Sequence, residues 1–325
     1  MTDKKKAPVF VLGSPRSGTT LLYHMILSSG GFAVYRTESQ VFSFLATRFG
    51  TLSKMKNRKK LMKAWLESKL FSRSGLDAKS IESKILADCR NAGDFLRIVM
   101  EEIARSQNVD RWADCTPDHL LYVPEIKKTI PDALVVHIIR DGRDVALSLE
   151  KQGWIRPFPW ESGRGLLVAA LYWAWIVGRG REYGHAITPD YIEVHFEDLV
   201  QEPRRVLAKL SEFIDHDLDY DRILQVGIGS VRDPNTSFEK GKAEFNPVGR
   251  WKKTLPEKEL AKLEYLIGPV LESLGYPSAT EPESRGRLGL STMRALHSLT
   301  YDSKLWAKKH VLLSRYLMSK DLSWL

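Results

Sequence analysis

The sequence predicts an α/β fold, a central parallel sheet flanked by helices, with a helical insertion and a helical C-terminal extension. Three observations predict it. Apolar, β-rich runs in "PVFVLG", "ALVVHIIR" and "DYIEVHF" are each followed by turn residues and then a helical pattern, the alternation that builds parallel sheets. The first run passes at once into "GSPRSGTT", which is nearly the phosphate-binding loop G-x-x-x-x-G-K-[ST], so the sheet is P-loop-like. Residues 50–110 have helical spacing, many charges and no convincing strand, as an insertion packed over the sheet has.

In chain order, "PVFVLG" is a buried strand, and "GTTLLYHMILSS" is a helix that opens at Gly18 and is stopped by Gly30 and Gly31. The insertion contributes helices in "KMKNRKKLMKAWLESKLF" and "DFLRIVMEEIARSQ". The continuous apolar run Ala133 to Arg140 is the kind expected of a central parallel strand. "DGRDVALSLEKQG" starts the next helix with Asp141 near its N-cap. "LLVAALYWAWIV", Leu166 to Val177, is too short to span a bilayer and predicts a buried helix. A third strand in "DYIEVHF" precedes the helix "EPRRVLAKLSEFI", with Pro203 in its first turn. The breaker-rich "PSATEPESRGRLG" places the end of the α/β domain near residue 280, giving domains 1–280 and 281–325. The second is a basic amphipathic tail, with Met293, Leu296, Leu299, Leu305, Trp306, Leu312, Leu313, Tyr316 and Leu317 set among Lys, Arg and His. Two readings stand for it: packing on its own domain or on a partner subunit, and contact with a membrane surface.

The totals bound the function. A chain of 325 residues, 43% hydrophobic and 27% charged, has the composition of a soluble globular protein with a substantial core. The apolar part of "MTDKKKAPVFVLG" is short and runs into the phosphate-loop pattern, so it is read as the first strand and not as a signal peptide. Two cysteines, Cys89 and Cys115, give no disulfide framework and fit a reducing compartment, the cytoplasm. A net charge of +9 suits polyanionic partners: nucleotides, nucleic acid, sulfated or acidic substrates, or an anionic membrane surface.

The loop departs from its pattern in one informative way. A nucleoside triphosphatase uses the motif Lys at the β- and γ-phosphates, and this chain has Thr19 there. The loop's cation is instead Arg16, inside the turn. Glycines let successive N–H groups face one anion, and Thr19 and Thr20 add hydroxyls at the helix start. The second constellation is "HIIRDGRDVALS". Arg140 falls at a strand tip and Ser148 about two turns into the following helix, where both can reach one phosphate. Taken singly, Arg140 reads equally well as an ion-pair partner of Asp141 or Asp144, and Ser148 as a small packing residue.

Together, and in this order, the two stretches resemble the sulfotransferases that use 3′-phosphoadenosine-5′-phosphosulfate (PAPS). "PRSGTT" is similar to the family's 5′-phosphosulfate loop in the form seen in tyrosylprotein and many bacterial sulfotransferases, whereas the cytosolic steroid and phenol enzymes carry Lys where this chain has Arg16. "RDGRDVALS" resembles the 3′-phosphate segment. "IEVHFEDLVQEP" is similar to the family's Y-E-D-L stretch, and "NPVGRWKKTLP" to its late G-x-W-K segment, which closes over the nucleotide. The resemblance runs from about residue 8 to residue 276.

The resemblance implies that Arg16, Ser17, Gly18, Thr19 and Thr20 hold the 5′-phosphosulfate, with Arg16 stabilising charge on the bridging oxygen as the S–O bond breaks. It implies Arg140 and Ser148 at the 3′-phosphate and Arg250 in the late segment. It implies Glu38, in "YRTESQVF", as the base for the acceptor hydroxyl, returned to the loop by the first helix and a following strand; His119, in "WADCTPDHL", is the competing base. No metal is implied. The chain departs from the family at Cys115, where D-K-T-P has Lys, leaving Lys127 or Arg36 to stand in; at Phe196, which lacks the tyrosine hydroxyl; and at Gly142, where R-D-P-R-D has Pro.

The expected activity is sulfuryl transfer from PAPS to a hydroxyl or amine, with nucleotide donor and hydroxyl-bearing acceptor as partners and no nucleic acid. A P-loop kinase using ATP and a degenerate nucleotide- or nucleic-acid-binding module are the alternatives. Trp154, Phe158 and Trp160 in "KQGWIRPFPWESGRG" suggest an aromatic acceptor platform and, with the basic tail, a glycan or glycolipid met at a membrane.

Overall fold

The computed structural model describes residues 4–156, 165–226, 247–280 and 287–311. Four parallel strands, β1 (Val9–Leu12), β2 (Ala113–Asp114), β3 (Leu134–Ile139) and β4 (Tyr191–His195), form one sheet in the order β2-β1-β3-β4. The register sets Leu12 opposite His137 and Val136 opposite Ile192. Alternate residues of β1 serve different cores: Phe10 and Leu12 join one apolar cluster, Val9 and Val11 the other. A sheet buried on both faces needs no polar alternation, so the strands read as continuous apolar runs.

One face is covered by α1 (Thr19–Ser28), and by α10 (Phe196–Gln201), α11 (Pro203–Ile214) and α12 (Tyr220–Val226), which follow β4. Between α1 and β2, a π-turn (Val41–Leu45) runs into α2 (Ala46–Phe49), and the insertion follows as α3 (Met55–Leu66), α4 (Lys69–Ser74), α5 (Ala78–Asp88) and α6 (Ala92–Ser106). These pack over the opposite face. A 3-10 turn (Pro117–Tyr122) and α7 (Val123–Thr129) lead back to β3, which is followed by α8 (Gly142–Gln152) and α9 (Leu166–His185). The predicted buried helix is thus longer than its apolar core, and buried Trp173 and Ile176 face the cluster. Last come α13 (Trp251–Thr254), α14 (Glu257–Ser273) and α15 (Arg287–His310).

The tail helix α15 lies on α9 and α14. Asp302 accepts from the Trp175 indole N–H at 2.8 Å and pairs with Arg179 at 2.8 Å, and Tyr301 packs edge-on to Tyr172. Leu312, Leu313, Tyr316 and Leu317 lie outside the described residues. No described helix is long and apolar enough to cross a membrane.

One expectation needs correction. The return path from α1 to Glu38 is not a strand: only Phe32 bridges to Arg111, with Ala33 N–H donating to Arg111 O at 2.7 Å. β2, which sequence patterning does not reveal, forms one edge of the sheet.

The order of the sheet also locates its ligand crevice. The chain leaves β1 for β2 on one side and leaves β3 for β4 on the other, so the carboxyl ends of β1 and β3 flank the point where connections diverge. Open α/β sheets bind ligands at such a point.

Candidate active site

The loop Gly13–Gly18 leaves β1 at this crevice. Ser17 N–H closes the turn onto Ser14 O at 3.1 Å. Two residues take the left-handed conformation, Arg16 with φ 74° and Gly18 with φ 96°. At Gly18 this is cheap. At Arg16 it costs roughly 1–2 kcal/mol, the kind of strain that functional turns retain. Gly18 also has a packing reason: a Cβ there would overlap the Phe196 ring, which lies under the loop. The lost tyrosine hydroxyl at position 196 thus leaves an aromatic floor. Gly18→Ala is expected to lower unfolding free energy by roughly 2–4 kcal/mol, combining the left-handed penalty with overpacking, as denaturant titration would record. An unchanged midpoint would refute the close packing.

The two motifs meet. Arg16 Nε donates to Ser148 Oγ at 3.0 Å, joining the loop to α8 across 132 positions of sequence. Arg140, at the tip of β3, donates from Nη1 to Arg16 O at 3.2 Å and from Nη2 to Pro247 O, and its guanidinium lies 4.6 Å from the centre of the Phe196 ring. The ion pair with Asp144 is long, 3.9 Å. Burial lowers the Arg140 proton affinity, and Arg250 and Arg16 push the same way against Asp144 and Glu197. Three guanidiniums therefore converge within electrostatic reach, a strong field for a phosphate-rich ligand. Arg140 Nε and Ser17 Oγ are buried without a hydrogen-bond partner. Orphaned polar atoms around a cluster of arginines fit a polyanionic nucleotide, whose oxygens would satisfy them.

The remaining loop residues divide. Thr20 is exposed at the start of α1; Thr19 is buried and hydrogen-bonds Cys115, the residue after β2. Burial first, then the charges of Glu38 and Asp114, push the Cys115 thiol well above its ordinary range. Such a thiol is inert. The charge of Glu38 is thus felt at Cys115, which hydrogen-bonds Thr19. Glu38 is exposed and accepts a hydrogen bond from Gln40 Nε2. Its segment is anchored below by Thr116 Oγ1, which receives Gln40 N–H at 3.3 Å and lies 3.4 Å from Ser39 Oγ.

His119 is placed differently. It is fully buried, its Nε2 accepts Phe42 N–H at 3.1 Å, and its Nδ1 lies 2.9 Å from Asp114 Oδ2. The Phe42 donor fixes the tautomer, with the proton on Nδ1 facing Asp114. Both nitrogens are thus committed to holding the wall behind Glu38, and His119 does not face the loop as a free base. Lys127 is no substitute for the missing family lysine. Its ammonium donates to Asp190 Oδ2 at 2.9 Å and Ala133 O at 3.0 Å, at the opposite, N-terminal edge of β3 and β4. Arg36 is exposed two residues from Glu38, and its charge acts on Tyr23 and His24 of α1.

Sequence reasoning named Asp141 and Asp144 beside Arg140 but missed what else they hold. Asp141 caps α8 by accepting Arg143 N–H at 2.9 Å, as expected, and its own N–H donates to Glu197 at 3.0 Å. Asp144 accepts the N–H groups of Gly249 at 2.8 Å and Trp251 at 3.0 Å. The spacing of Arg140 and Asp144, one helical turn, is the signal available in sequence; their distant partners leave none. Trp154 is 56% exposed, with the Arg16 guanidinium 5.8 Å from its ring centre. Phe158 and Trp160 lie outside the described residues.

Comparison with known proteins shows the family of the chain. An uncharacterized protein of Aquifex aeolicus (strain VF5) is 26% identical over 296 residues, 86% of this chain; the chain spans 34% of that protein's length. Protein-tyrosine sulfotransferase A of Caenorhabditis elegans is 22% identical over 315 residues, covering 93% of this chain and 76% of that one. Among solved structures, the sulfotransferase domain from the curacin biosynthetic pathway superposes with a TM-score of 0.59 at 18% identity, over 83% of this chain and 98% of that one, a likeness of fold. A model of the sulfotransferase family matches residues 8–220, well over half of the sequence, and the chain belongs to that family.

Proposed function

We propose that this sulfotransferase moves the sulfuryl group of PAPS to a hydroxyl of a glycan or glycolipid, releasing adenosine 3′,5′-bisphosphate. The observation that carries the reading is the junction of Arg16 with Ser148 at 3.0 Å and of Arg140 with Arg16 O at 3.2 Å, which brings the loop, the tip of β3 and α8 together and supports one donor spanning them. Bound there, the donor would supply the sulfuryl group and its phosphate leaving group. Ser17, Gly18, Thr19 and Thr20 line the 5′ end, and Arg140, Ser148 and Arg250 the 3′ end. Arg16 holds charge on the departing bridge oxygen from a position fixed by Ser148. Glu38, open to solvent and with its charge felt at Cys115, takes the proton of the acceptor hydroxyl. No metal enters the scheme.

Trp154, exposed next to Arg16, supports a sugar face as the acceptor platform. A net charge of +9 and the exposed Leu288, Leu299 and Trp306 of α15 support an acceptor met at a membrane surface. Thr19 at the position of the P-loop lysine weighs against a kinase.

The test is calorimetric titration without Mg²⁺, with adenosine 3′,5′-bisphosphate, 5′-AMP and ATP in parallel. The bisphosphate alone is expected to bind tightly; a preference for Mg-ATP would favour the kinase. Arg140→Ala is expected to weaken bisphosphate binding by about tenfold to a hundredfold, the scale of a lost charge-assisted hydrogen bond, and 5′-AMP binding by much less. Equal losses for both ligands would remove Arg140 from the 3′ site.

A further inference from the structure

The late segment that carries Arg250 is fastened to α8 by buried carboxylates. Asp144, fully buried, accepts Gly249 N–H on Oδ2 at 2.8 Å and Trp251 N–H on Oδ1 at 3.0 Å. Gly249 takes φ 70°, which turns its N–H and that of Trp251 onto the same carboxylate. The Trp251 indole N–H donates to Asp141 Oδ2 at 3.1 Å, and the Arg143 guanidinium lies 3.8 Å from the Trp251 ring centre. Arg143 is itself held by Asp141 at 2.8 Å and by Glu264 of α14 at 2.6 Å. On the other side of Asp144 is Arg140, which also donates to Pro247 O two residues before Gly249. One carboxylate thus touches both the strand-tip arginine and the backbone that presents Arg250.

We propose that Asp144 is a positioning residue, a latch that holds residues 247–251 on α8 so that Arg250 and Arg140 face the 3′-phosphate as one preorganised pair. The proposal rests on the donor reading above for the identity of the ligand, while the latch itself is a property of the free protein. Its logic is preorganisation: a segment already fastened loses little entropy when the nucleotide arrives. The two backbone N–H groups need an anionic or carbonyl acceptor with two oxygens at this spot, and Asn offers only one.

Asp144→Asn separates this role from simple electrostatics by its sign. Removing a negative charge next to an anion site would, through charge alone, tighten anion binding. A latch predicts the opposite: bisphosphate affinity falls by about tenfold or more, the scale of a lost charge-assisted hydrogen bond, while 5′-AMP affinity moves far less. Trp251→Phe, which keeps Asp144 and both backbone bonds and loses only the indole bond to Asp141, is expected to give a smaller loss of the same kind and covers the case in which Asp144→Asn does not fold. Amide hydrogen exchange on the free proteins reads the latch without any ligand. In Asp144→Asn the amides of Gly249 and Trp251 are expected to exchange faster, with β1 and β3 unchanged. Unaltered exchange at these amides would overturn the latch, and faster exchange with unaltered or tighter bisphosphate binding would overturn its positioning role. If the wild-type protein fails to bind the bisphosphate while exchange responds as expected, the donor reading fails and the latch stands.

Discussion

Arg16→Ala is expected to lower turnover by about a hundredfold to a thousandfold, the cost of removing a single preorganised donor from developing negative charge. The side chain is aimed by structure on three sides. Its backbone is held at φ 74°, its Nε is bonded to Ser148, and its carbonyl is bonded to Arg140. On the proposed reading Arg140, Ser148 and Arg250 remain to hold the 3′ end, so bisphosphate affinity is expected to fall far less than turnover. A companion variant isolates function from stability. Arg16→Gly relieves the left-handed strain, worth roughly 1–2 kcal/mol, against the extra unfolded-state entropy of Gly, so it is expected to melt no lower than the parent protein while losing the same activity. Steady-state kinetics and thermal denaturation on the pair check this. Turnover within tenfold of wild type in both variants would mean that Arg16 carries no charge in the transition state.

What the sequence reveals of this molecule follows the range of the interactions. "VFVL" and "LVVHII" are legible as strands because a doubly covered parallel strand leaves an uninterrupted apolar run. Gly18 and Asp141 are legible because a helix start imposes local requirements on one or two residues. β2 is not, since two residues, Ala113 and Asp114, carry no period. Nor is the use of Ser148: a serine on a helix becomes a ligand to Arg16 only because β1 and β3 are neighbours, a fact of topology rather than of pattern. His119 illustrates the same limit from the other side. Its residue type fits a general base, but the Phe42 N–H and the Asp114 carboxylate consume both nitrogens, and neither partner is predictable from spacing. Asp144 likewise reads as a helical neighbour of Arg140, while its backbone partners lie 105 and 107 positions away.

These contacts also show how the chain tolerates its departures from the family pattern. Phe196 keeps the aromatic ring that Gly18 and Arg140 pack against and gives up only the hydroxyl. Cys115 replaces a cation with a neutral buried thiol bonded to Thr19, so on the proposed reading Arg16 is the cation left at the transferred group. That arrangement increases the dependence on Arg16, in keeping with the large effect expected of its removal.

Glu38→Gln is expected to lower turnover by about a hundredfold or more, within the range for a lost general base, with nucleotide affinity nearly intact. The substitution keeps the size of the side chain and its ability to accept from Gln40 Nε2, so the segment between Ser39 and Thr116 should hold its shape. What it removes is the proposed proton acceptor, whose charge is felt at Cys115, itself bonded to Thr19. The competing histidine behind it has no lone pair to offer without breaking its bond to Phe42 N–H in a fully buried wall, a loss on the order of 1–3 kcal/mol for the donor left unsatisfied. A pH profile sharpens the result. If Glu38 is the base, the acid limb of the rate profile vanishes in Glu38→Gln along with the activity. Retained turnover with the limb unchanged would transfer the role to another group, and His119 would then have to reach the acceptor through a rearrangement of the Phe42 segment.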